Sequence, residues 1–218
     1  MNSPFSLKTS LRLLALAGAF FAANLSHAQL SFAVDINTAS IVNNSAGPFY
    51  LDLQSIFGPG GPSQTISVTN FSLTGGSLLG SGVGTGAVTG DLGGSLVFNP
   101  SAADFFNEFY QGFSATVSAI KFTLNVTTAV AGATPTSFSV AILDSTLSNI
   151  PTGGLGDSLL LINLDGRETN YQTAASTGGT GGVSLNLTAV PEPSTYGLIA
   201  GALLLAASVW RGRRFRSR

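Results

Sequence analysis

The chain has 218 residues and a formal net charge of −1, but the charges are segregated: between residues 29 and 189 two cations, Lys121 and Arg167, stand against nine acids, leaving that stretch at −7. So few Lys and Arg cannot neutralise a phosphate backbone, which excludes nucleic acid as a partner of the body. There is no cysteine, so no disulfide staples the fold and a body of this length must rest on a buried core.

In chain order, the first 28 residues have the three parts of a secretory signal. Lys8 and Arg12 supply positive charge, Leu13 to Ala23 an apolar stretch, and Ser26-His27-Ala28 small residues at the −3 and −1 positions. The pattern predicts a signal helix, passage through a Sec-type translocon, and cleavage between Ala28 and Gln29. Eleven apolar residues are short for a permanent span of about 20.

Residues 29–189 alternate apolar and polar with period two, the mark of half-buried strands. Strands are expected around Phe32–Ile36, Phe49–Leu53, Ile66–Leu73, Ile120–Val126, Phe138–Ile142, Leu160–Leu164 and Val183–Leu187. Within the third run the phase slips at Thr69-Asn70, which predicts a β-bulge. Turn chemistry punctuates the runs at Asn43-Asn44, Gly58-Pro59-Gly60-Gly61, Gly75-Gly76, Asn149-Ile150-Pro151 and Gly178-Gly179.

Two segments depart from this rhythm. Residues 75–94 hold nine glycines; with no following Lys and with Asp91 present, a flexible hairpin loop is expected rather than a phosphate loop. Phe105, Phe106, Phe109, Tyr110 and Phe113 fall at helical spacing, with Ser101 as cap, Asp104 in the first turn and Gly112 as stop. This predicts one short helix over 101–111, its aromatics serving as core. The body as a whole reads as all-β: an antiparallel, jelly-roll-like β-sandwich of about eight strands with that one helix.

The chemistry available to the body is narrow. His27 is the sole histidine and leaves with the signal, so the mature chain has neither His nor Cys. Triads built on histidine or thiolate, and zinc sites, are excluded. Carboxylates remain, with Lys121 as the sole lysine between residues 29 and 189. The acids stand singly along the sequence, so no glycosidase pair is expected, the chain is read as a non-enzyme, and no cofactor is called for. A structural Ca²⁺ would need oxygen ligands from Asp35, Asp52, Asp144, Asp157 and Asp165. Asn43, Asn70, Asn125 and Asn186 fit Asn-x-Ser/Thr, as chance provides in a chain this rich in those residues.

The C-terminus carries the most specific pattern. Val190-Pro191-Glu192-Pro193 precedes an apolar run, Tyr196 to Trp210, bordered by rings suited to the headgroup level. Arg211, Arg213, Arg214, Arg216 and Arg218 follow, a cluster the positive-inside rule keeps in the cytoplasm. Pro191 and Pro193 each fix φ and remove an N–H, so the backbone before the run is held extended. The fifteen-residue run reads as a single transmembrane helix that is short as an anchor.

These ordered features over 190–218 (motif 190–195, span 196–210, arginine end 211–218) resemble the PEP-CTERM sorting signal. The resemblance implies recognition by an exosortase, a multi-spanning membrane enzyme, in a Gram-negative bacterium that makes exopolysaccharide. The expected path is a single-pass inner-membrane intermediate with its body in the periplasm, then the cell surface or extracellular matrix. The body is expected to be a non-enzymatic surface or matrix component. The alternative is a carbohydrate-binding module acting on exopolysaccharide, with Tyr50, Phe109 and Tyr110 as its aromatic face.

Overall fold

The computed structural model describes residues 29–58, 64–99, 104–127, 136–164 and 169–191, together with Gly201. The expected signal sequence, Ala28, Glu192, Pro193 and the arginine cluster lie outside the described residues, as does the run 196–210 apart from Gly201. Among the described residues no helix is long and apolar enough to cross a membrane.

The compact unit Gln29–Val190 is all-β. Its twelve strands are β1 (Gln29–Asn37), β2 (Phe49–Ile56), β3 (Ile66–Thr74), β4 (Leu78–Thr85), β5 (Val88–Gly90), β6 (Leu96–Phe98), β7 (Phe106–Phe113), β8 (Ala119–Thr127), β9 (Thr136–Leu143), β10 (Leu160–Leu164), β11 (Thr169–Thr173) and β12 (Ser184–Val190). They form two six-stranded sheets, ordered β12-β1-β8-β3-β6-β5 and β11-β10-β9-β2-β7-β4. Every pairing is antiparallel. Between residues 29 and 191 helix is confined, among the described residues, to three single 3₁₀ turns.

The two sheets share one core. β8 buries Ile120, Phe122, Leu124 and Val126, and turns Lys121 to solvent. Strand alternation does the same in β1, where Phe32, Val34 and Ile36 face in, and in β2 with Phe49, Leu51 and Leu53. The layers meet through rings: Phe98 of β6 lies edge-on to Phe138 of β9, centroids 5.6 Å apart, and Phe32 of β1 meets Tyr171 of β11 at 6.3 Å. Each fully buried apolar side chain of this core contributes about 1.5–3 kcal/mol of hydrophobic stabilisation.

The expected bulge is present. The β3–β8 register shifts between Thr69 and Ser72, so Asn70 and Phe71 oppose Phe122 alone, and Asn70 adopts φ 53°. Asparagine tolerates that left-handed backbone better than a β-branched residue would.

Three expectations are corrected. The helix over 101–111 is absent where the chain is described: Phe106–Phe113 is β7, paired with β2 over eight registered residues. Spacing of three and four places aromatics on one helical face, but here Phe109 and Phe113 point into the core while Phe106 and Tyr110 point out. Aromatics also suit a pleated surface, and pairing on both edges decides the outcome. The glycine-rich stretch is likewise not a loop but holds β4 and β5. Gly82 has a packing reason: a Cβ there would stand 2.0 Å from Cζ of Phe109, so glycine makes room for a core ring. Finally, the described residues form twelve strands rather than about eight; β5 and β6, of three residues each, are too short to show a period.

Candidate functional site

Two regions bear on function. The first is the edge at β12. This strand is the outermost of its sheet and pairs with β1 from Asn37↔Ser184 to Ser31↔Val190. Val190 is thus the last residue of β12, and Pro191 follows it directly, with no spacer between sheet and motif. Gln29, on the far side of the expected cleavage, is the first residue of β1. Both expected processing points therefore adjoin neighbouring strands at one end of one sheet.

The second region is the outward face of β2 and β7. Leu51 and Leu53 face the core, so Tyr50, Asp52 and Gln54 alternate onto the other side. On β7 the registered partners are Gly112, Tyr110 and Glu108 respectively. Gln54 Nε2 donates to Asp52 Oδ2 at 2.7 Å and to Glu108 Oε1 at 3.1 Å, drawing the two carboxyl groups to one amide. The rings of Tyr50 and Tyr110 meet edge-on at 6.2 Å and 74°. From β9, Leu143, Ala141 and Ser139 lie opposite Tyr50, Asp52 and Gln54 and add no charge.

Asp52 is only 1% exposed although it points away from the core. Burial pushes its carboxyl up to about 7, the charge of Glu108 pushes in the same direction, and the Gln54 hydrogen bond and the Leu53 backbone act against them. Oδ1 of Asp52 is buried and makes no hydrogen bond among the described residues. An orphaned buried acceptor costs about 1–3 kcal/mol, and protonation of the carboxyl lessens that cost.

The acids are thus not all single, as the sequence suggests; Asp52 and Glu108 form a pair. The signal lay in the alternation Tyr50-x-Asp52-x-Gln54 and Glu108-x-Tyr110, which only becomes a shared face once β7 is a strand. The expected aromatic face is corrected too. Tyr50 and Tyr110 are neighbours on it, but Phe109 is 4% exposed and belongs to the core.

The remaining described acids are dispersed. Asp35 pairs with Lys121 at 2.7 Å across β1 and β8, both half-exposed, a geometry that contributes little. Asp144 accepts from Thr146 N, Thr146 Oγ1 and Ser148 N, and the Thr146 bond first among these holds its carboxyl below the usual range. Asp91 accepts from Gly93 N and Gly94 N, and Asp157 from Thr152 N. Among the described residues no three of His, Cys, Asp and Glu gather as a metal site would require. Asp165 lies outside them.

A cysteine-free all-β body running straight into a C-terminal address defines a passenger with a sorting tail. Residues 189–214 match the PEP-CTERM protein-sorting motif, which implies an exported protein processed by an exosortase. The match begins within β12, since Ala189 and Val190 pair with Phe32 and Ser31. No curated protein and no solved structure matches the chain.

Proposed function

We propose that the chain is a non-enzymatic protein of the cell surface or extracellular matrix, delivered by its sorting tail. Removal of residues 1–28 follows passage through a Sec-type translocon. The run 196–210 then holds the chain once across the inner membrane, with Arg211 to Arg218 in the cytoplasm and the body in the periplasm. Exosortase processing at the motif completes delivery. The observation that carries this reading is the sorting motif at 189–214, joined without a spacer to the last strand of the body. The intact mass of the exported protein, measured with and without the host exosortase, tests it. Loss of the arginine cluster only when the enzyme is present is expected; a stable membrane form that keeps the cluster in both hosts overturns the reading.

One feature supports a non-catalytic body. Asp52, whose raised pKa would suit a general acid, sits 1% exposed and out of reach of a bulky glycosidic oxygen. The strand order supports a jelly-roll-like sandwich, with β1, β8, β3 and β6 neighbours in one sheet and β2, β7 and β4 in the other. The second reading, a carbohydrate-binding module acting on exopolysaccharide, is favoured by one observation: Tyr50 and Tyr110 share an outward face with Gln54 and Glu108.

A further inference from the structure

We infer that the outward face of β2 and β7 docks an uncharged polysaccharide, with a sugar ring stacked on Tyr50 and its hydroxyls bonded to Gln54 and Glu108. This rests on the carbohydrate-binding reading and gives it a place and a ligand class.

Three observations carry it. The first is the lie of Tyr50. Its registered partner is Gly112, where a Cβ would stand 3.1 Å from Cε1 and 3.3 Å from Cδ1 of the ring. The ring therefore rests down over β7, in space that the glycine leaves open, and Tyr110 props it edge-on at 6.2 Å. A partly buried ring laid against a sheet presents what remains open of it as a flat apolar surface, suited to the C–H face of a pyranose.

The second is the hydrogen-bond inventory. The Gln54 Nε2 donates to the carboxyl groups of both Asp52 and Glu108, and the buried Oδ1 of Asp52 has no partner among the described residues. Acceptors outnumber donors, which favours a ligand that donates through hydroxyls. Asp52 itself is a positioning residue: it orients the Gln54 amide that faces the ligand.

The third is charge. Among the described residues the one cation is Lys121, placed on the other sheet and paired with Asp35. The face carries the Glu108 carboxylate and no cation, so uronate-, sulfate- or phosphate-bearing polymers are repelled.

Affinity electrophoresis of the full chain in mild detergent tests this, with gels containing hydroxyethyl cellulose, alginate or chitosan. Retardation by hydroxyethyl cellulose and not by alginate is expected. Tyr50→Ala and Gln54→Leu should each weaken it at least tenfold, and Gly112→Ala should weaken it by tilting the ring. Near-UV circular dichroism establishes which variants are folded, and Gln54→Leu, a half-buried polar change, keeps the test open if Tyr50→Ala unfolds. Retardation by hydroxyethyl cellulose that folded variants leave unchanged overturns the assigned face while the carbohydrate-binding reading stands. Retardation by alginate or chitosan alone overturns the uncharged ligand class, and retardation by none of the three removes both.

Discussion

Asp52 is an ionisable group that strand alternation sends outward and that is nonetheless buried, 1% exposed. Its carboxyl titrates at about 7 in the fold against an ordinary value of 3.8, so the native state holds a proton that the unfolded chain releases. Stability is therefore greatest at the acid end of this window and falls as pH rises from about 4 to about 7, by at most about 1.4 kcal/mol per unit. Asp52→Asn should raise the thermal midpoint at pH 8 and flatten its dependence between pH 4 and 7, as scanning calorimetry would read. Asp144 acts with the opposite sign. Its pKa is lowered by the Thr146 and Ser148 hydrogen bonds, so its contribution is present above the usual carboxylate range and lost on acidification. The two effects differ in place as well as sign, since Asp144 is only partly buried and immediately precedes the turn at Ser145 and Thr146. The Asp52–Glu108 pair was not legible in the sequence, where 56 positions separate its members. Only the register Gln54↔Glu108 brings them to one amide.

At the scale of elements, β4 and β7 show what periodicity reads and what it misses. β1, β2, β3, β8, β9, β10 and β12 were legible because each sets an apolar face against a polar one over five or more residues. The β3 bulge was legible as a slip of that same phase. β7 was not, because Phe105, Phe106, Phe109, Tyr110 and Phe113 satisfy a helical spacing that local sequence cannot reject. β4 was not, because its glycines leave no apolar face to count; their role lies in the neighbouring strand. Gly82→Ala should therefore destabilise by about 1–3 kcal/mol, since the methyl meets the Phe109 ring. Urea unfolding measures this, and the second change Phe109→Leu should recover part of the loss. A Gly82→Ala variant with an unchanged midpoint would show that β4 does not press on β7 as described.

For the whole molecule, the decisive fact is that β1 and β12 lie side by side with Gln29 and Val190 at the same end. The sorting match covers only 189–214, and the sandwich was legible as all-β but not as two sheets of six. Strand order depends on long-range pairings, such as β1 with β8 and β2 with β7, that no local pattern encodes. Because the unit closes at Val190, a chain of residues 29–190 should unfold cooperatively with the midpoint of the longer protein. A chain ending at Val183 loses β12 and bares β1, which should lower the midpoint by several degrees in a thermal melt.

The junction of β12 with the tail also has a mechanical side. A load entering at Val190 and resisted beyond Ser184 runs along β12, so its seven registered positions with β1 bear it together in shear. A load directed sideways meets them one at a time, beginning at Ser31↔Val190. Rupture under force follows the unfolding rate, so a body drawn along its tail should withstand a greater pull than the same body peeled from it.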